Sequence, residues 1–141
     1  MEQLRPFHLA FPVDDLALTR KWYTEVLGCE IGRESNNSCV FNFFGHQIVA
    51  HLVAKMPEVE GNGVDNKIVP TSHFGCVLEW RHWQEMSSDL LEKNVEFIIE
   101  PYIRYRGESG EQATMFFQDP CGNNLEFKAF KDDEGIFRPY S

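Results

Sequence analysis

The chain has 141 residues, 43% of them apolar and 13% aromatic, which is enough for one domain with a buried core. Its net charge of −9 argues against a nucleic-acid partner, since basic residues gather only at Arg104/Arg106 and Lys128/Lys131. No run approaches the roughly 18 apolar residues of a membrane span, and the N-terminus lacks a signal-peptide core. The four widely spaced cysteines (29, 39, 76 and 121) read as reduced, buried thiols of a cytoplasmic protein.

Residues 6–13 predict a strand with His8 and Ala10 on one face and Phe7, Leu9 and Phe11 on the other. The second face is the more apolar, so His8 points away from simple core. Asp14 and Asp15 open a helix over about 15–27, with Leu16, Thr19, Tyr23, Val26 and Leu27 at helical spacing. Gly28 supplies a left-handed stop. Strands follow at 30–35, 38–44 and 47–53, separated by turns at Asn36-Asn37 and Gly45-His46; the third sets Gln47, Val49, His51 and Val53 on one face. Residues 55–70, broken by Pro57, Gly61, Gly63 and Pro70, predict a polar linker between two halves. A strand at 72–80 then carries His73, Gly75, Val77 and Glu79 on one face. A helix over 82–93 has Trp83, Met86, Leu90 and Leu91 as its apolar stripe, and Asn94 stands where Gly28 stood. Strands are predicted at 95–100, 113–118 and 125–130, with a polar loop at 104–112 and a turn at Asp119-Pro-Cys-Gly-Asn123. A tail spans 131–141.

The two halves repeat the order strand, helix, strand, strand, strand, and the spacing from His8 to Gly28 nearly equals that from His73 to Asn94. Two such units about a pseudo-two-fold would set their first strands side by side. His8, His73 and the last-strand residues His51 and Glu126 would then converge. Three imidazoles and a carboxylate suit a divalent first-row metal. Glu126, flanked by Leu125, Phe127 and Phe130, otherwise needs a partner such as Lys128 or Arg104.

Four stretches, Phe7-His-Leu-Ala-Phe11, Trp22-Tyr-Thr-Glu-Val-Leu-Gly28, His73-Phe-Gly75 and Phe116-Phe-Gln-Asp-Pro-Cys-Gly-Asn-Asn-Leu-Glu-Phe127, resemble the vicinal oxygen chelate superfamily. That superfamily includes glyoxalase I, bleomycin-resistance proteins, fosfomycin-resistance transferases and extradiol dioxygenases. The resemblance implies an α+β fold of two βαβββ modules forming a cupped eight-stranded mixed sheet with helices outside. Within a single domain, module one would span about 6–54 and module two about 71–130. It also implies a metal on His8, His73 and Glu126. His51 falls near a fourth ligand position where glyoxalase I carries Glu, and it reads either as that ligand or as a nearby catalytic acid/base.

The function expected is metal-dependent chemistry on a small molecule that chelates through adjacent oxygens. With three ligands, Fe(II) or Mn(II) is favoured and an extradiol-dioxygenase-like oxidoreductase leads. Four ligands with Ni, Zn, Mn or Co would suit an isomerase, epimerase or lyase of the glyoxalase I type. A sequestering binding protein ranks below both because the ligand types are retained, and a fosfomycin-type thiol transferase ranks last. Phe41, Phe43, Phe116 and Tyr102 are expected to wall the pocket, with Arg104 or Arg106 holding an anionic group. His46 and His82 are expected at the surface. The resembling family commonly forms dimers, so a homodimer is the expected partner state.

Overall fold

The computed structural model describes residues 3–65 and 67–139. They form two compact units, Met1–Glu58 with Asp119–Asn123, and Val59–Gln118 with Asn124–Ser141.

The first unit runs β1 (His8–Val13), α1 (Leu16–Glu25), β2 (Glu30–Glu34), β3 (Ser38–Phe43) and β4 (His46–Leu52). Its sheet order is β1-β4-β3-β2, with β1 parallel to β4 and the other pairs antiparallel. Parallel pairing demands a crossover, and the segment from α1 to β3 supplies it. Asp15 caps α1 by accepting from the Leu18 N–H at 2.9 Å, and Gly28 leaves it at φ 71°. Alternation along the strands turns Phe11, Val13, Phe41, Phe43, Ile48 and Ala50 into the core with Leu16 and Tyr23 of α1. Tyr23 stacks on Phe41 at 5.0 Å. Phe41 and Phe43, expected to wall a pocket, are therefore core residues on the helix side of the sheet. The other face carries His8, Ala10, Gln47, Val49 and His51.

The second unit contains β5 (Gly61–Val64), β6 (Lys67–Pro70), β7 (Phe74–Leu78), α2 (Trp80–Glu92), β8 (Phe97–Arg104), β9 (Gln112–Gln118) and β10 (Asn124–Phe130). The sheet order β7-β10-β9-β8 repeats the first, again with one parallel pair, β7 with β10. The eight repeat strands are thus hydrogen-bonded as two sheets of four. Trp83, Met86 and Leu90 of α2 are buried, as are Met115, Phe117, Leu125 and Phe127 of β9 and β10. Trp83 Nε1 donates to the Phe127 carbonyl at 2.8 Å. Asn94 adopts the left-handed φ of 56° that its position required.

The expected polar linker is corrected by the structure: residues 61–70 form the antiparallel hairpin β5–β6. Its glycines and proline hid the strand pattern. Its cohesion comes from elsewhere in the unit, because Val64 and Val69 pack on Phe116, Ile99 and Tyr102. The hairpin roofs the sheet face opposite α2. No helix of the described residues is long and apolar enough to cross a membrane.

Candidate metal centre

His73 lies between the hairpin and β7. Its Nδ1 is 2.6 Å from the Pro70 carbonyl oxygen. A carbonyl only accepts, so Nδ1 carries the proton and Nε2 is the free ring nitrogen. Nε2 lies 3.2 Å from Glu126 Oε1. The other carboxylate oxygen, Oε2, accepts from the Thr114 hydroxyl. Phe116 meets the His73 ring edge-on at 4.9 Å. The hydrogen bond to Glu126 pushes His73 above the usual imidazole range, against the opposing effect of burial. Burial acts to raise Glu126, but His73 and Thr114 hold it below its ordinary value. A neutral His73 would present its Nε2 lone pair to the carboxylate, so the pair calls for a positive charge between them. A proton or a metal ion meets that need.

Gly75 makes this approach possible. It stands opposite Glu126 in the parallel ladder, and a Cβ there would lie 1.6 Å from the Glu126 carbonyl oxygen.

In the first unit, His8 Nδ1 lies 2.7 Å from Gln47 Oε1, and with that amide oxygen as the acceptor Nδ1 donates and Nε2 is the other ring nitrogen. His8 and Gln47 are partners in the parallel ladder of β1 and β4. Carried back one residue from Phe74↔Leu125, the equivalent ladder of the second unit sets His73 against Asn124. Asn124 is thus the counterpart of Gln47, Glu126 of Val49, and Lys128 of His51. The turn glycines agree: Gly45 and Gly122 both have φ 89°, four residues before Val49 and Glu126. His51 is exposed, opposite Pro12 and Ser38. It sits four residues along β4 from Gln47, or about 13 Å at strand rise. Among the described residues, no group of three or more His, Cys, Asp or Glu side chains is gathered as a metal cluster.

The remaining residues singled out by sequence take varied places. Tyr102 donates from its hydroxyl to Asp65 Oδ2 at 2.9 Å, and Arg104 Nε donates to the same oxygen at 2.6 Å. Together they clasp the hairpin tip. The Arg104 hydrogen bond, then that of Tyr102, holds Asp65 below the usual carboxylate range. Phe116 is 3% exposed under the hairpin. Arg106 is exposed on the loop after β8. His46, expected merely at the surface, accepts from the Phe7 N–H at 2.9 Å and pins the start of β1. Sequence reading passed over Gln47, Pro70 and Thr114, which orient the candidate ligands. Of these, only Gln47 left a readable trace, by sharing a strand face with His51.

Two stretches that carried the family resemblance meet in the first unit. Tyr23 donates its hydroxyl to Asp119 Oδ2 at 2.7 Å. Asp119 also accepts from the Cys121 and Asn123 backbone N–H groups, and Asn123 Nδ2 donates to the Pro12 carbonyl at 2.8 Å. Burial, then the neighbouring Asp119, drives the Tyr23 phenol far above its ordinary value, so it stays a donor. The Tyr and Asp-Pro-x-Gly-Asn elements therefore serve as a mutual anchor between helix and turn.

Repeated βαβββ units, each with a histidine held through Nδ1 at its first strand, define a glyoxalase-like α+β protein. A sequence model of the Glyoxalase/Bleomycin resistance protein/Dioxygenase superfamily matches residues 5–127, and the chain belongs to that superfamily. A crystal structure of a glyoxalase/bleomycin resistance protein/dioxygenase from Alicyclobacillus acidocaldarius is 30% identical, with a TM-score of 0.79 over 94% of this chain and 96% of that one. The virulence protein STM3117 of Salmonella typhimurium is 25% identical over 123 residues, 87% of this chain and 82% of its own. The fosfomycin resistance protein FosX of Listeria monocytogenes shares the fold at 17% identity, with a TM-score of 0.68 over 96% of this chain and 99% of that one.

Proposed function

We propose that the chain is a divalent-metal enzyme whose ligands are His8, His73 and Glu126. Its substrate is a small molecule that chelates through adjacent oxygens, and extradiol ring cleavage is the leading reaction. The observation that carries this reading is the donor chemistry. Both histidines are tethered through Nδ1 to an oxygen acceptor, and the free Nε2 of His73 faces a carboxylate that Thr114 also holds. Ligating histidines are commonly held this way, so that the ring is oriented and its tautomer fixed. Val49, the counterpart of Glu126, cannot coordinate, which supports three protein ligands over four. Three ligands leave positions for substrate oxygens and dioxygen, and Fe(II) or Mn(II) suits such a set.

When bound, the metal would supply Lewis acidity and, as iron, oxygen chemistry. The chain's own residues do the rest. Gln47 and Pro70 hold the imidazoles, and Thr114 fixes the carboxylate. His51 is not a ligand in this reading; as an exposed imidazole two residues beyond Val49, it is available for proton exchange with substrate. The reduced cysteines support a reducing, cytoplasmic setting.

Elemental analysis of protein loaded with Fe(II) or Mn(II) tests the ligands. About one equivalent is expected in the parent and in His51→Ala, with large losses in His8→Ala, His73→Ala and Glu126→Gln. Unchanged content in the two histidine variants would refute the site. Oxygen uptake by the iron form against a panel of catechols tests the reaction, and its absence across the panel would remove ring cleavage while leaving the metal site standing.

A further inference from the structure

The second unit contains a cavity of about 750 Å³, within the range of small-molecule sites. Its sheet wall is made by Arg104, Gln112, Lys128 and Phe130, its loop edge carries Glu108, and Ile136 and Arg138 of the C-terminal segment line the other side. Alternation along β10 sets Lys128 and Phe130 on the same face as Glu126, with Lys128 two residues on, or about 7 Å.

The cations differ in how they are matched. Arg104 is bound to Asp65 at 2.6 Å, and Arg138 lies 3.5 Å from both Asp132 and Glu134. Lys128 has no carboxylate within 4.0 Å among the described residues. Its ammonium lies 5.4 Å over the Phe130 ring, and the residue is half-buried. Glu126 feels the Lys128 charge from beyond 4.0 Å and is itself already held by His73 and Thr114; in a chain of net charge −9, an ammonium without a direct ion pair in a concave wall marks a place for an anion. Gln112 is 4% exposed, and its Nε2 makes one long bond of 3.4 Å to the Gly110 carbonyl. Its second N–H remains as a donor.

We propose that this cavity is a subsite for an organic carboxylate carried on an apolar, ring-sized body. Lys128 pairs with the carboxylate, Gln112 donates to it, and Phe130 and Ile136 pack on the body. If the metal reading above also holds, on which this step rests, the substrate is an acid with adjacent oxygens at one end and its carboxylate roughly 7 Å away.

The subsite is tested on the metal-stripped full chain by calorimetric titration with benzoate and, as the uncharged probe, benzamide. Benzoate is expected to bind at least about tenfold more tightly, the ratio corresponding to one ion pair shielded from bulk water. Lys128→Met and Lys128→Gln should abolish that preference, Lys128→Arg should keep most of it, and all three should share the parent's urea midpoint. Equal affinity for the two probes overturns the proposal, as does a preference that survives both neutral substitutions. Manganese uptake is measured on separate aliquots of the same proteins after loading with Mn(II). Benzoate preference in a chain that takes up no manganese supports the subsite and overturns only the metal reading. Manganese uptake without benzoate preference overturns the subsite.

Discussion

Replacing Gly75 with alanine adds one methyl group at the point where β7 and β10 approach most closely. Built on the existing backbone, that carbon lies 1.6 Å from the Glu126 carbonyl oxygen, 2.6 Å from its carbon and 3.2 Å from its nitrogen. Ordinary contact is about 3.5 Å, so the strands must separate by well over an ångström. All three obstacles are main-chain atoms, and no side-chain rotation relieves them. The separation breaks the ladder bonds on either side, each worth about 1 kcal/mol net. With the strain of an overpacked site the expected loss is about 3 kcal/mol or more. With a urea m-value of about 1.5 kcal/mol/M, the midpoint falls by about 2 M. Glu126 moves with the strand, so metal retention should fall about 10- to 100-fold. Gly63→Ala is the control, because its added carbon meets nothing within 4 Å. Equal urea midpoints and equal metal content in the two variants would refute the close approach and the placement of Glu126 that depends on it.

Three further predictions concern the supporting contacts. Tyr23→Phe should cost about 1–2 kcal/mol in chemical denaturation by leaving a buried carboxylate oxygen one donor short; an unchanged midpoint would deny the anchor between α1 and the 119–123 turn. Asp65→Ala should open the hairpin tip, so that limited proteolysis within residues 59–70 rises several-fold while the unfolding midpoint changes little; an unchanged cleavage rate would show that the Arg104 and Tyr102 clasp holds nothing. The third is pH dependence. His73 is raised above 6.5, so its pairing stabilises the metal-free chain below that pH and is lost as pH climbs through the folded value. Glu126 is lowered from 4.5, so its share is present above that pH and lost as pH falls through the folded value. The pair therefore helps the metal-free chain most between 4.5 and 6.5, by under about 1 kcal/mol given its partial exposure. Manganese affinity should run the other way and rise about tenfold per pH unit up to the folded His73 value, since the ion must displace that proton. A manganese affinity independent of pH over that range would contradict coordination by His73.

Much of the fold could be read before the structure because punctuation and periodicity agreed. Gly28 and Asn94 end their helices in left-handed conformations, and Asp15 caps α1, as their residue types required. The repeat also matched His8 to His73, and the parallel ladders set both at the start of the first strand of their modules. The hairpin at 61–70 was illegible because its strands are short and glycine-rich, and the packing that holds them comes from residues 99, 102 and 116. Phe41 and Phe43 were assigned to a pocket because strand alternation says which residues share a face but not which face meets the helix. The counterpart of Glu126 turned on register: the expected match to His51 is two residues off, because the ladders set Val49 opposite Ala10 as they set Glu126 opposite Gly75. Pro70 could not have been found, since a main-chain carbonyl leaves no mark in the sequence.

The two histidines are fastened by different kinds of group, and this bears on how the protein can drift. His8 depends on the side chain of residue 47, so a single codon change there can loosen or reorient the ring. His73 depends on a main-chain oxygen at residue 70, which every amino acid carries. Random substitution can therefore reorient the His8 ring directly, whereas it reaches the His73 ring through this contact only by altering the path of the hairpin. Among the two contacts that orient the imidazoles, natural variation should accordingly have its consequences at position 47.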